Sequence, residues 1–298
     1  MKKLLALVLS FLILTAAFPL GGLGLTASAA TYGSLTYTVS EDGYATITDC
    51  DTNVSGVMNV PSEIDGYPVI GIGDYAFASC NLLTDIIIPE GITTIGNYAF
   101  QECSLLKNIN IPNGVVSIGV CAFTNCISLT EIAIPEGVTT IGEHAFSYCK
   151  QLKSVTLPNT LTYLYNGTFS YCIALESIVI PSGVTGLDTY VFNGCSGLKN
   201  IVFSEGITTL GKYSLRNCSS LLNINIPSTV TTLGDSAFDG CTSLKRVDIT
   251  DVAAWCNINF VTEDANPLYF AHNLYVNGEL AETVDVPQGV TSIPTYAF

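Results

Sequence analysis

Phenylalanine returns at a fixed interval of 23 residues along this 298-residue chain: Phe77, Phe100, Phe123, Phe146, Phe169, Phe192 and Phe238 share one register, and Leu215 fills the remaining slot. Three residues after each comes a cysteine, at Cys80, Cys103, Cys126, Cys149, Cys172, Cys195, Cys218 and Cys241. Two chemically unrelated side chains do not keep step over eight periods by chance. A unit this short cannot enclose its own aromatic ring and its own strand, so successive units have to stack and share one continuous core. That requirement disfavours a conventional globular domain and leaves a solenoid.

The rest of the unit says how each coil is built. An LxxIxI segment, for example Leu129, Ile132 and Ile134, alternates as a half-buried strand does. A proline follows at Pro89, Pro112, Pro135, Pro158, Pro181 and Pro227, where a missing N–H stops the ladder from propagating. Glycine comes two residues later in most units, as at Gly91 and Gly114, and suits a sharp turn. A second apolar pair (Ile92 and Ile95, Val138 and Ile141, Val230 and Leu233) then leads into the Phe segment. The expected fold is a β-rich repeat solenoid of 23-residue coils stacked about 4.8 Å apart, so that eight regular coils make a rod of roughly 40 Å.

The pattern lapses at both ends. Residues 31–67 lack the Phe and Cys signature, and "LTYTV" and "YATIT" flank Glu41-Asp42-Gly43. This predicts an N-terminal β-hairpin cap ahead of a solenoid over residues 68–298. Between Phe238 and Phe298 lie 60 residues, one coil of 23 plus an insertion of 37. That insertion, residues 250–286, predicts an inserted helix/hairpin element, with a short helix capped by Asp251 and a type I′ hairpin at Asn277-Gly278. The chain stops at Phe298 in mid-coil, and because an open solenoid end exposes core, a C-terminus truncated within a repeat is expected.

With 48% hydrophobic and 12% charged residues the chain is not disordered. A formal net charge of −15 argues against nucleic acid as a partner, since that polyanion needs a basic face to displace its counterions. Met1-Lys2-Lys3, the apolar run Leu4 to Leu14 and Ala27-Ser28-Ala29 read as a secretory signal peptide over residues 1–29. Pro19 and Gly21-Gly22 interrupt that run well short of a spanning helix. After cleavage no segment is expected to enter a membrane, which places the protein outside the cell or on its surface.

The LxxIxIP…VTxIGxxAFxxC unit resembles the bacterial leucine-rich repeats of the BspA-like, or treponemal, type, over about Val69 to Phe298. Proline after the strand, the IG pair, the AF pair and the periodic cysteine recur together. The segment "AAWC…NPLYFAHNLYVNGEL", Ala253 to Leu280, is similar to one that often interrupts such arrays. Leu215 for Phe, Ser204 and Thr250 for Pro, and Tyr165 for Gly depart from the pattern. The resemblance implies a horseshoe-like or flattened solenoid whose relatives act in adhesion, with no catalytic motif to carry over.

Eleven cysteines in an exported chain raise the question of disulfides. In a ladder the Cβ atoms of stacked neighbours stay about 4.8 Å apart, longer than the ~3.8 Å of a bridge, so free buried thiols fit better than pairing. Cys121 and His144 share a slot in adjacent coils, yet no third residue orients them. The other occupants of that slot (Tyr75, Tyr98, Gly167, Tyr190, Tyr213 and Ser236) mark it as a semi-exposed position of mixed use. No catalytic residue, cofactor or metal site is expected, because the CxxC-like pairs a zinc site uses are missing.

Binding is better served. Outward strand positions such as Asp85/Ile87, Asn108/Asn110 and Glu131/Ala133 make a mixed polar and apolar surface. Beside it Lys107, Lys153, Lys199 and Lys245 occupy one row in every second coil. The stripe suits an anionic surface such as a sulfated glycan or an acidic protein patch. Spacing the charges about 9.6 Å apart also relieves like-charge crowding, which is the plainer reading. A threonine row (Thr93, Thr139, Thr162, Thr185, Thr208, Thr231, Thr291) fits ordinary strand packing. Trp255, Tyr269 and Tyr275 in the insertion are the expected hot spot, since aromatic residues dominate interface energies. The expected function is a non-enzymatic binding protein for an extracellular protein or glycan; the alternative is a passive spacer or accessory module of a larger secreted enzyme.

Overall fold

The structure, a computed structural model, describes residues 29–298. All but the last residue of the segment read as a signal peptide lies outside the described residues. The chain winds as a β-solenoid whose parallel ladders join each residue to the one 23 positions on: Glu131–Ala133 pairs with Ser154–Thr156, and Ser177–Ile180 with Asn200–Phe203. These LxxIxI strands form a first ladder. The second apolar pair forms another, through Thr94–Ile95, Ser117–Ile118 and Thr140–Ile141, and again through Gly186–Leu187, Thr209–Leu210 and Thr232–Leu233.

The Phe–Cys segment is a third wall without strands, yet its backbone bonds from coil to coil just as regularly. The N–H groups of Tyr98, Phe100 and Glu102 donate to the carbonyls of Val120, Ala122 and Thr124 at 2.8, 2.7 and 2.8 Å. Two slots per coil adopt a positive φ. One is the mixed slot two residues before Phe, from Tyr75 and Tyr98 to Tyr213 and Ser236; the other lies two residues after it, from Ser79 and Glu102 to Asn217 and Gly240. Left-handed backbone costs an L-residue about 1–2 kcal/mol, and here the intercoil hydrogen bonds and the buried ring between the two slots offset it.

That ring fills the core. The column Phe77 to Phe192 is fully buried, and successive rings stack with centroids 5.1–5.7 Å apart. The cysteines are free thiols. From Cys103 to Cys241 each donates its S–H to the carbonyl of the residue 26 positions earlier, at 3.0–3.3 Å. Burial pushes the thiols of Cys149, Cys195 and Cys241 up to about 12.

The glycine of the IG pair marks a close approach between coils. A Cβ on Gly119 would stand 2.5 Å from the backbone carbon of Gly96, and one on Gly142 would stand 2.6 Å from that of Gly119. Tyr165 and Asp188 take this position in two successive coils. There the second ladder shrinks to an isolated bridge between Leu164 and Leu187 and the sheet is interrupted.

Both ends differ from expectation in how they join the stack. Leu35–Val39 and Ala45–Cys50 form the antiparallel hairpin, and the second strand runs parallel to Tyr67–Ile72. Gly56–Asn59, inside the segment expected to be only a cap, already pairs in parallel with Leu83–Ile87 and begins the first ladder. In the insertion the Asp251 carboxylate caps the helix Val252–Trp255, accepting the Ala254 N–H at 3.0 Å. Asn277 and Gly278, at φ 51° and 85°, turn the hairpin between Leu274–Val276 and Glu279–Leu280. The segment is nevertheless not set apart from the solenoid. Asn259–Phe260 extends the second ladder and Leu274–Val276 the first, both in a register of 27 instead of 23 residues. Residues 250–286 therefore contain an enlarged coil followed by a hairpin.

Candidate functional site

Each strand of the first ladder buries its Leu and Ile and turns two positions outward. In the N-terminal coils these positions line an open groove of about 810 Å³. One column runs Val57, Asp85, Asn108, Glu131, Ser154; the other runs Ile87, Asn110, Ala133, Thr156. Several of the polar groups are held in place. The Asp85 carboxylate accepts the Asn108 amide at 2.6 Å and the Thr84 hydroxyl at 2.7 Å, and these bonds, with Lys107 nearby, hold its carboxyl below the usual carboxylate range. Asn110 accepts the Ile88 N–H at 2.9 Å and donates to the Ile88 carbonyl at 2.8 Å. It brackets the backbone as a strand residue would, and Asn225 treats Phe203 in the same way. Between these groups stand aliphatic side chains in water: Val57 at 57% exposure, Ile87 at 51% and, further along, Val179 at 61%.

The lysine stripe is present and all four members are exposed. Lys199 pairs with Glu176 at 3.1 Å, both side chains being more than half exposed. Such a pair contributes at most about 1 kcal/mol. Lys107, Lys153 and Lys245 have no ion-pair partner among the described residues. At the other end of the stack the Arg246 guanidinium grips Asp248 through two 2.6 Å bonds and lies 3.8 Å above the Tyr275 ring.

The aromatic hot spot expected of the insertion is overturned at Trp255. Its side chain is 1% exposed, edge-on to Phe260 at 5.1 Å, and its indole N–H donates to the Ala297 carbonyl at 3.0 Å. Trp255 packs into the interior of the enlarged coil instead of facing solvent. The two tyrosines do not meet. Tyr269 lines a depression of about 210 Å³ with Glu263, Tyr296 and Phe298, whereas Tyr275 lies on the sheet beneath Arg246.

The remaining candidates resolve into structure. Hydroxyls of Thr93, Thr139, Thr185, Thr208 and Thr231 donate to carbonyls of the preceding coil at 3.0–3.4 Å. That row is tied into the ladder. The His144 ring lies across Gly167 in the next coil, in space that a Cβ would fill, and Cys121 touches Tyr98, whose hydroxyl it pushes up. Among the described residues no group of three or more His, Cys, Asp or Glu is placed to hold a metal ion, and no helix is long and apolar enough to cross a membrane. Sequence reasoning missed Val57, which the cap assignment hid. The aliphatic residues displayed by other coils, Ile87, Val179 and Val202, stand in the second outward column and Val57 in the first, so the repeat pattern left no direct trace of it.

The BspA type leucine rich repeat region matches this chain in six copies, over residues 70–199, 164–261 and 191–298. The chain belongs to that family. Among solved structures, this BspA-type chain is similar to a leucine-rich repeat protein from Bacteroides ovatus at 33% identity and a TM-score of 0.59, covering 78% of this chain and 66% of that one. It is also similar to the T. pallidum leucine rich repeat protein at 29% identity and a TM-score of 0.58, covering 65% of this chain and 91% of the other. The chain thus spans just under two thirds of the B. ovatus protein. A search of curated proteins finds no match.

Proposed function

We propose that this BspA-type protein is a non-enzymatic, exported binding protein that holds an extracellular protein or glycan against the groove of its first ladder. The observation that carries the reading is the pairing, on one rigid surface, of exposed aliphatic residues (Val57, Ile87) with oriented hydrogen-bonding groups (Asp85, Asn108). Desolvating the first supplies affinity, and the second fixes register without losing side-chain freedom on binding. The leader-like N-terminus supports export, and repeat folds commonly bind along such extended faces. Lys107 and Lys153 border the groove and extend its reach to acidic partners.

The test compares wild type with Val57→Arg/Ile87→Arg, a pair of substitutions at exposed positions that leaves the core alone. Both are measured for binding to bacterial and host cells and to arrays of matrix proteins and glycans. At least tenfold weaker binding by the variant, with unchanged circular dichroism, is expected. Equal binding removes the groove from the reading, and a wild type that binds nothing on any array favours the spacer.

A further inference from the structure

The two ladders end differently at the N-terminal end of the stack. The second is covered by the hairpin, whose strand Ala45–Cys50 runs parallel to Tyr67–Ile72 and is itself paired with Leu35–Val39. The first begins at Gly56–Asn59, which pairs with Leu83–Ile87 on one side and with no described strand on the other. The N–H groups of Gly56 and Val60 both donate into the stack, to the carbonyls of Leu82 and Ile87 at 3.0 Å. Strand alternation therefore turns the N–H and C=O groups of Val57 and Asn59 the other way. Among the described residues, neither makes a hydrogen bond outside the strand pairing, and both are exposed. Natural sheets bar such an edge with charged side chains, proline or a covering segment, whereas this strand reads Gly-Val-Met-Asn.

The surroundings of this edge carry charge of one sign. No Lys, Arg or His occurs between Lys3 and Lys107. Asp49, Asp51, Glu63 and Asp65 are exposed on either side of the strand in sequence, and Asp85 stands in register with Val57. Like charges oppose a second copy of this chain on the same edge and favour a cationic partner. Donors and acceptors recurring at every second residue, about 6.6 Å apart, match a polypeptide backbone and not the hydroxyls of a sugar. We propose that the Val57–Asn59 edge is a strand-addition site for an extended basic segment of a partner protein. This deepens the reading of the groove, on which it rests, by making the partner a polypeptide anchored at the groove's N-terminal mouth. The added strand alternates two kinds of side chain. Apolar residues cover Met58, which is half-buried against the core. Lys or Arg residues lie on the outer face, their stems along Val57 and their charged heads toward Asp85.

The test measures binding of a fluorescently labelled Lys-Val repeat peptide to the full chain by anisotropy. Two further versions carry N-methyl groups, one on every Lys amide and the other on every Val amide. A strand added to an edge donates through the N–H groups of one of these sets only. One version is therefore expected to bind at least about tenfold more weakly than the parent peptide, and the other to stay within about twofold of it. Asn59→Pro removes one outward N–H but no ladder bond and no residue lining the groove, and is expected to weaken the parent peptide by about tenfold or more. A Glu-Val repeat is expected not to bind. Equal binding of the parent and both methylated versions, or binding of the Glu-Val repeat, overturns the proposal. A wild type that binds cells or arrays through Val57 and Ile87 but takes up no Lys-Val peptide overturns the edge site alone and leaves the groove reading intact. The peptide series on wild type decides the matter however Asn59→Pro folds.

Discussion

The regular coil around Phe123 and the enlarged coil around Trp255 solve the same problem with different parts. Both place strands in the two ladders, and both bury large aromatic side chains. Phe123 is held by likeness: identical rings lie 5.1 Å above and below it, and the glycine beside its strand lets the backbones close up. Trp255 is held by particular partners, an edge-on Phe260 and a hydrogen bond to Ala297. A column repeats its solution and spreads strain over neighbours, whereas a unique coil depends on contacts that exist once. In a stack whose stability is a sum of nearest-neighbour terms, the two designs should fail differently.

The largest expected difference is at the ring itself. Phe123→Ala opens a void facing two coils at once and is expected to lower stability by about 3–5 kcal/mol in urea titrations followed by circular dichroism. Recovery of most of that loss by a Leu at the same place, as the natural Leu215 suggests, would sharpen the account. Gly119→Ala tests the close approach. Its Cβ would meet backbone that cannot swing aside, and a loss of about 2–3 kcal/mol in the same titration is expected.

Alkaline pH separates the coils by their thiols. The Cys149, Cys195 and Cys241 pKa values lie near 12 in the folded state and near ~8.5 when unfolded, so the folded state keeps protons that the unfolded state gives up. Their contribution is complete below about pH 8.5 and falls as pH rises toward 12. The urea midpoint should drop across that range, and Cys149→Ala/Cys195→Ala should flatten the drop. Trp255→Phe keeps a buried aromatic ring but loses the indole bond and part of the volume, with an expected loss of about 1–3 kcal/mol. Since Trp255 is the sole tryptophan, its fluorescence reports the enlarged coil; a midpoint equal to that of circular dichroism would show that coil unfolding together with the rest. The smallest expected effect is a gain. Glu102→Gly relieves a left-handed position in an exposed slot and should add up to about 1 kcal/mol.

Much of the architecture was legible because a column repeats its own evidence. Phe and Cys at constant spacing announced an inward wall, and LxxIxI announced a strand with two outward positions. The site was less legible. Asn110 read as a displayed amide, yet its partner is the backbone of Ile88, a relation between coils that no local pattern encodes. Tyr165 read as one departure from the pattern among several, but its position is a point of close approach between coils, and the second ladder breaks there.

By itself the sequence determined the period, the stacking and which residues of a regular coil face inward, since a core shared between coils requires the same residue type at the same place each time. Only the tertiary structure decided what happens where repetition stops: that the insertion becomes a coil and that Trp255 turns inward. Those outcomes depend on volumes and directions left over by neighbouring coils, and packing against a neighbour is a property of two segments that neither carries alone.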